Sequence, residues 1–279
     1  MPEHEPSQDR QQKTNQYAMK VTLFGPLRPA ADLNHRTERV IKAHSNERDH
    51  FTEITLMDNR NAGGMVVDYF VKAHSPRSAR RVGLVYLSQL CDLLSAVTQC
   101  PVKFCTQDEE AREERARLHH QSMRVNRTLT SDEWSWVTGS LAALQREHPR
   151  FLAAASWYRK GLIGNDCLDD FCCFWRVIER LAESYADKSN WPKGDGGVRK
   201  SVAQLTTDLF EIGSIPELLQ DEDRVKSIIT LRNNISHGNV PITIDMIETA
   251  SEELEALEEA AFAVLDRMRR TKIKIEIEI

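Results

Sequence analysis

From Thr130 to Met268 the apolar residues recur at steps of three and four, and nothing else in the chain limits its fold so strongly. Trp134, Val137, Leu141 and Leu144 share one helical face behind Thr130-x-x-Glu133. That pair has the form of a capping box, in which each side chain satisfies a free backbone N–H of the first turn. His148-Pro149 closes the helix. Phe151 to Leu162 predicts a second helix, and Asp166 to Tyr185 a third, with Leu168, Phe171, Trp175, Ile178, Ala182 and Tyr185 on one stripe. Residues 191–197 read as a loop, followed by short helices over 198–210 and 215–220 and a helix from Arg224 to Ser236. Asp245-x-x-Glu248 is expected to cap a long final helix. Its apolar set, Ile247, Ala250, Leu254, Leu257, Ala261, Val264 and Met268, keeps a seven-residue period. Such a seam packs either within a bundle or across a dimer.

The first half follows a different period. Val21 to Phe24 reads as a strand ended by Gly25-Pro26. Phe51 to Met57 and Met65 to Ala73 flank the turn-forming stretch 58–64, which predicts a hairpin. Ser78 to Gln99 carries Leu84, Leu87, Leu90, Leu94 and Val97 at helical spacing, and residues 101–104 suggest a short returning strand. Residues 107–120 mix charges of both signs, as a solvated helix or linker does. The expected class is therefore α+β. A disordered leader (1–17) precedes a small α+β domain (18–106), a charged helical linker (107–129) and a helical domain (130–271). The tail 272–279 alternates strictly between isoleucine and charge. An unpaired apolar strand invites aggregation, so this tail is expected to join the N-terminal sheet.

Composition excludes several classes. The 279 residues carry a formal net charge of −5, so the chain is not a general trap for nucleic acid. Any RNA contact must use a local basic patch, and the best stretch is His119-His120 with Arg117, Arg124 and Arg127, against the plainer reading of a solvated helix. No run of apolar residues approaches membrane-spanning length, so no membrane partner is expected. Residues 1–16 lack the apolar core of a secretory signal, which argues for a cytoplasmic protein. The six cysteines form no C-x-x-C pair and are expected to be buried, reduced thiols, with no metal and no cofactor. There is no H-E-x-x-H and no G-x-S-x-G, and Gly194-Asp195-Gly196-Gly197 lacks the Lys-Ser/Thr that completes a phosphate-binding loop.

The segment Thr230-Leu231-Arg232-Asn233-Asn234-Ile235-Ser236-His237-Gly238 carries the chemistry. A histidine titrates near neutrality and can move a 2′-hydroxyl proton or protonate a leaving oxygen. The end of a helix favours a positive charge there. Arginine stays charged and forks onto phosphate oxygens, stabilising charge that grows in the transition state. Asn233 and Ser236 could orient the histidine or hold phosphate. Five residues of ideal helix leave Arg232 and His237 about 140° apart with about 7.5 Å of rise, so they are poor partners on one helix. A joint site needs an unwound last turn or a second copy of the helix. The spacing alone equally suits an exposed helix end with a terminal histidine.

This segment resembles the signature of the HEPN superfamily, an arginine followed by a polar residue and then a histidine four to six positions after the arginine. The resemblance extends upstream through Trp157-Tyr158-Arg159-Lys160-Gly161-Leu162, Asp169-Asp170-Phe171 and residues 174–181 to the ApeA-like branch and the MauJ-type proteins of methylamine-utilisation clusters. It covers about half of the chain, 130–270. It implies a helical bundle, usually dimeric, whose active members cut RNA without metal, often as toxins or anti-phage effectors, and a cognate antitoxin or other protein partner. The arginine and histidine roles carry over to Arg232 and His237 and the polar role to Asn233. Glu179 matches an acidic position that supports the site, or is an ordinary helix-pairing glutamate. Trp157 and Tyr158 either pack the core or stack bases. The competing implication, kept open by the MauJ-type likeness, is a non-catalytic module that binds RNA, nucleotide or protein.

Overall fold

The computed structural model describes residues 14–41, 49–59, 64–105, 127–192, 196–238 and 240–275. Seven strands come first among the described residues: β1 (Asn15–Phe24), β2 (Leu27–Pro29), β3 (Leu33–Ile41), β4 (Asp49–Asn59), β5 (Gly64–Ala73), β6 (Lys103–Cys105) and β7 (Arg127–Leu129). Helix α1 (Pro76–Thr98) lies between β5 and β6. Beyond β7 come α2 (Ser131–Glu147), α3 (Pro149–Ile163), α4 (Cys167–Tyr185), α5 (Val198–Leu209), α6 (Glu217–Gln220), α7 (Glu222–His237) and α8 (Ile244–Thr271).

The expected hairpin is β4–β5, extended by β1 on one side and β3 on the other into an antiparallel sheet of order β3-β4-β5-β1-β6. Alternation sets its two faces. Met65, Val67, Tyr69 and Val71 of β5 are buried while the residues between them are not. Helix α1 covers the buried face, and Phe51 stacks on both Tyr69 and Tyr86. Its start is tied to the sheet at buried Asp49, whose carboxylate accepts hydrogen bonds from the Ser78 hydroxyl and the His74 backbone N–H.

The other face of α1 packs on α3. Arg159 of α3 donates from Nε to Asp92 of α1 at 2.5 Å, and both side chains are about nine-tenths buried. One cluster of buried apolar residues runs from Val21 through α1 to Met268. Inside the helical half, α4 is the central element and touches α3, α5, α7 and α8. Its predicted stripe is buried through Ala182, with Trp175 fully enclosed. Gly161 lets α3 approach it: a Cβ there would stand 2.7 Å from the Phe174 ring.

Several expectations change. β1 starts at Asn15, so residues 15–17 belong to the sheet and not to a leader, while 1–13 lie outside the described residues. Of the expected linker, 107–126 also lies outside, and Arg127–Leu129 is a strand paired in parallel with β2. Arg127, from the basic stretch, bonds to Glu133 of the capping box, which forms as expected. The cap of α8 is Thr243, whose hydroxyl accepts from the Met246 N–H, so the helix opens one residue before Asp245. Of the tail, 272–275 is not strand, because the chain leaves α8 by folding the Ile273 N–H back onto the Met268 carbonyl and burying Ile273; 276–279 lies outside. On the seam, Ala250, Leu257, Ala261, Val264 and Met268 are buried within the chain, whereas Ile247 is exposed. Among the described residues no helix is long and apolar enough to cross a membrane.

Candidate active site

Helix α7 begins at a firm cap. Asp221 accepts from the N–H groups of Asp223 and Arg224. Val225, Ile228 and Leu231 bury one face, as steps of three require. The helix stays regular through His237, and Gly238 ends it at φ 60°, a left-handed conformation that glycine adopts without a Cβ penalty. The last turn is therefore wound, which removes one of the two ways of bringing Arg232 and His237 together.

Arg232 lies against α4. Its Nη2 donates to Glu179 Oε2 at 2.7 Å, and its Nη1 donates to Asn233 Oδ1 at 2.9 Å. The Arg232 and Glu179 side chains are 17% and 14% exposed, so the pair is only lightly screened by solvent. The Arg232 Nε is buried with no hydrogen-bond partner among the described residues. Burial pushes the Glu179 carboxyl up; Arg232 pulls it back, Glu183 pushes it further up, and Arg176 and Arg180 oppose. Glu179 is thus paired directly with Arg232 and feels Arg176 and Arg180 electrostatically. The Asn233 side-chain oxygen is engaged by Arg232. Ser236 and His237 are exposed, with the Ser236 hydroxyl 3.7 Å from the buried Cys172 thiol.

The site residues expected from the sequence therefore divide into two groups. Arg232, Asn233 and Glu179 form one hydrogen-bonded unit, while His237 and Ser236 stand at the open end of the helix. The thiols are less uniformly buried than expected: Cys167 and Cys173 are partly exposed. Among the described residues no three His, Cys, Asp or Glu side chains gather as a metal site. Comparison with family models, with curated proteins and with solved structures yields no match.

Glu179→Ala would leave the buried side of Arg232 without its anion. The expected loss is about 1.5–3 kcal/mol, because a hydrogen bond to a charged group is removed and the donor stays partly buried. Glu179→Gln keeps an acceptor oxygen and should lose about half as much. Urea unfolding of the three proteins measures both; equal midpoints would show that Arg232 finds water instead.

Proposed function

We propose that this chain is a metal-independent endoribonuclease of HEPN type. The observation that carries the reading is the division of labour along α7: a guanidinium fixed by Glu179 and Asn233, and a histidine at the exposed end of the same helix. In this reading Arg232 holds the scissile phosphate and stabilises charge on its oxygens. His237 exchanges the proton of the reaction, taking it from the 2′-hydroxyl or giving it to the departing 5′-oxygen. The 2′-oxygen attacks phosphorus, the P–O5′ bond breaks, and the products are a 2′,3′-cyclic phosphate and a 5′-hydroxyl. The regular winding of α7 through His237 supports a cleft whose arginine and histidine come from two copies of the chain. Val240, Ile242, Ile244 and Ile247 are exposed immediately after the motif and supply an apolar surface beside it for such a pairing.

One feature favours the competing reading of a binding module: the charge of Arg232 is already matched by Glu179. Incubation of RNA with the protein in EDTA separates the two. The nuclease reading expects fragments with cyclic-phosphate ends, and their loss on chelation would overturn it. Uncut RNA retained with measurable affinity would favour the module.

A further inference from the structure

A cavity of about 620 Å³ opens beside the motif helix, between the end of α3, the first turns of α4 and the end of α7. Its wall includes Trp157, Lys160, Asp169, Cys173, Arg176 and Ser236. Ser236 directly precedes His237 and links the cavity to the motif helix.

The wall has three chemical parts. The Arg176 guanidinium carbon lies 4.4 Å from the centre of the Trp157 ring, and the Lys160 Nζ lies 4.2 Å from it. An arginine plane held beside an indole is a surface on which a base can stack. Lys160 is exposed, and its ammonium, lying over the Trp157 ring at the wall of the cavity, is a positive charge suited to a phosphate. The acidic part comes from the start of α4, where three aspartates have different tasks. Asp166 caps the helix, accepting from the N–H groups of Leu168 and Asp169. Asp170 packs against Gly164, so closely that a Cβ there would stand 1.5 Å from its Oδ1. The exposed carboxylate of Asp169 accepts no hydrogen bond among the described residues and remains available to an occupant.

A carboxylate only accepts hydrogen bonds. Of the four RNA bases, guanine alone presents two adjacent N–H donors, N1–H and the N2 amino group, on its Watson–Crick edge. Adenine and cytosine pair a donor with an acceptor there, and uracil flanks one donor with two acceptors. We infer that this cavity is a guanosine-nucleotide subsite. Asp169 reads the Watson–Crick edge, the Trp157–Arg176 pair stacks the base, and Lys160 meets a phosphate. The inference rests on the RNA reading above and gives that site a substrate preference.

Calorimetric titration of the full chain with each of the four nucleoside 3′-monophosphates tests it. Guanosine 3′-monophosphate should bind at least about tenfold more tightly than the other three, the discrimination expected of one good two-point base contact. Asp169→Asn, at an exposed position in the first turn of α4, should remove that preference while lowering the thermal midpoint by no more than a few degrees, since it gives up only the attraction of one carboxylate to the helix N-terminus. Equal binding of the four, no binding of any, or a preference untouched by Asp169→Asn would each overturn the inference. The nuclease reading is scored separately on the same preparation. RNA cut without regard to guanosine would sink the subsite alone, and guanosine preference without cutting would sink the nuclease alone.

Discussion

Asp92→Ala is expected to lower the stability of the protein by about 3–5 kcal/mol, the range for breaking a buried ion pair by removing one partner. Arg159 cannot discharge itself by losing a proton, so the variant buries a guanidinium whose Nε has lost its 2.5 Å acceptor. The Ser88 hydroxyl, 3.5 Å from the Arg159 Nη2, is too distant to replace a carboxylate. Burial already pushes the Asp92 carboxyl up, and Arg159, Ser156 and Lys160 pull it back. The pair is thus costly to desolvate as well as costly to break. The double variant Asp92→Leu with Arg159→Met removes both charges and keeps most of the volume. It should return to within about 1 kcal/mol of the parent, as apolar replacement of buried pairs often does. Urea midpoints of the parent, Asp92→Leu, Arg159→Met and the double variant complete the cycle. A loss under about 1 kcal/mol for Asp92→Ala would mean that water reaches Arg159 and that the interface is looser than its burial indicates.

The second large effect concerns activity. Arg232→Ala and His237→Ala should each reduce RNA cleavage by at least about a hundredfold, the usual scale for a positioned proton donor or a preorganised charge contact. Mixing the two inactive proteins makes the sharper measurement. If each cleft combines the arginine of one copy with the histidine of the other, a mixed pair carries one complete cleft and one cleft lacking both groups. Random exchange makes half of the pairs mixed, so about a quarter of the parent activity should return. A site held within a single chain would recover nothing. Recovery would also locate the pairing surface next to the motif, where Val240, Ile242, Ile244 and Ile247 are exposed.

Local signals were the legible ones. The capping box at Thr130, the stop at His148-Pro149 and the glycine end of α7 depend on residues within a turn of each other, and each is found in the structure. The β4–β5 hairpin was readable for the same reason, since its strands are neighbours in sequence. Strand β3 was not, because Leu33-Asn34-His35-Arg36-Thr37 offers little alternation. As an edge strand it pairs, among the described residues, with β4 alone and can expose charge. The β2–β7 ladder joins three-residue segments about a hundred positions apart, and nothing in either segment names the other. At the site, the motif was visible in the sequence, and Glu179 stood out through the family resemblance. Its bond to Arg232, 53 residues away, is a fact of how α4 and α7 pack. The cavity was hidden for a related reason. Trp157 reads as core by composition, and only the approach of Arg176 from the neighbouring helix makes its ring part of a wall.

The placement of α1 has a consequence for how such a chain can be inherited. This helix is encoded with the strands, yet one face belongs to the sheet and the other closes over α3, where Arg159 meets Asp92. Recombination that replaced everything before residue 107 would transmit the motif intact on a bundle with an uncovered apolar flank and a stranded guanidinium. The incoming segment would have to bring its own helix with an acid at the matching turn. The part of the chain that can be exchanged freely is therefore smaller than the change in periodicity suggests, and its limits follow the ion pair instead of the boundary between strands and helices.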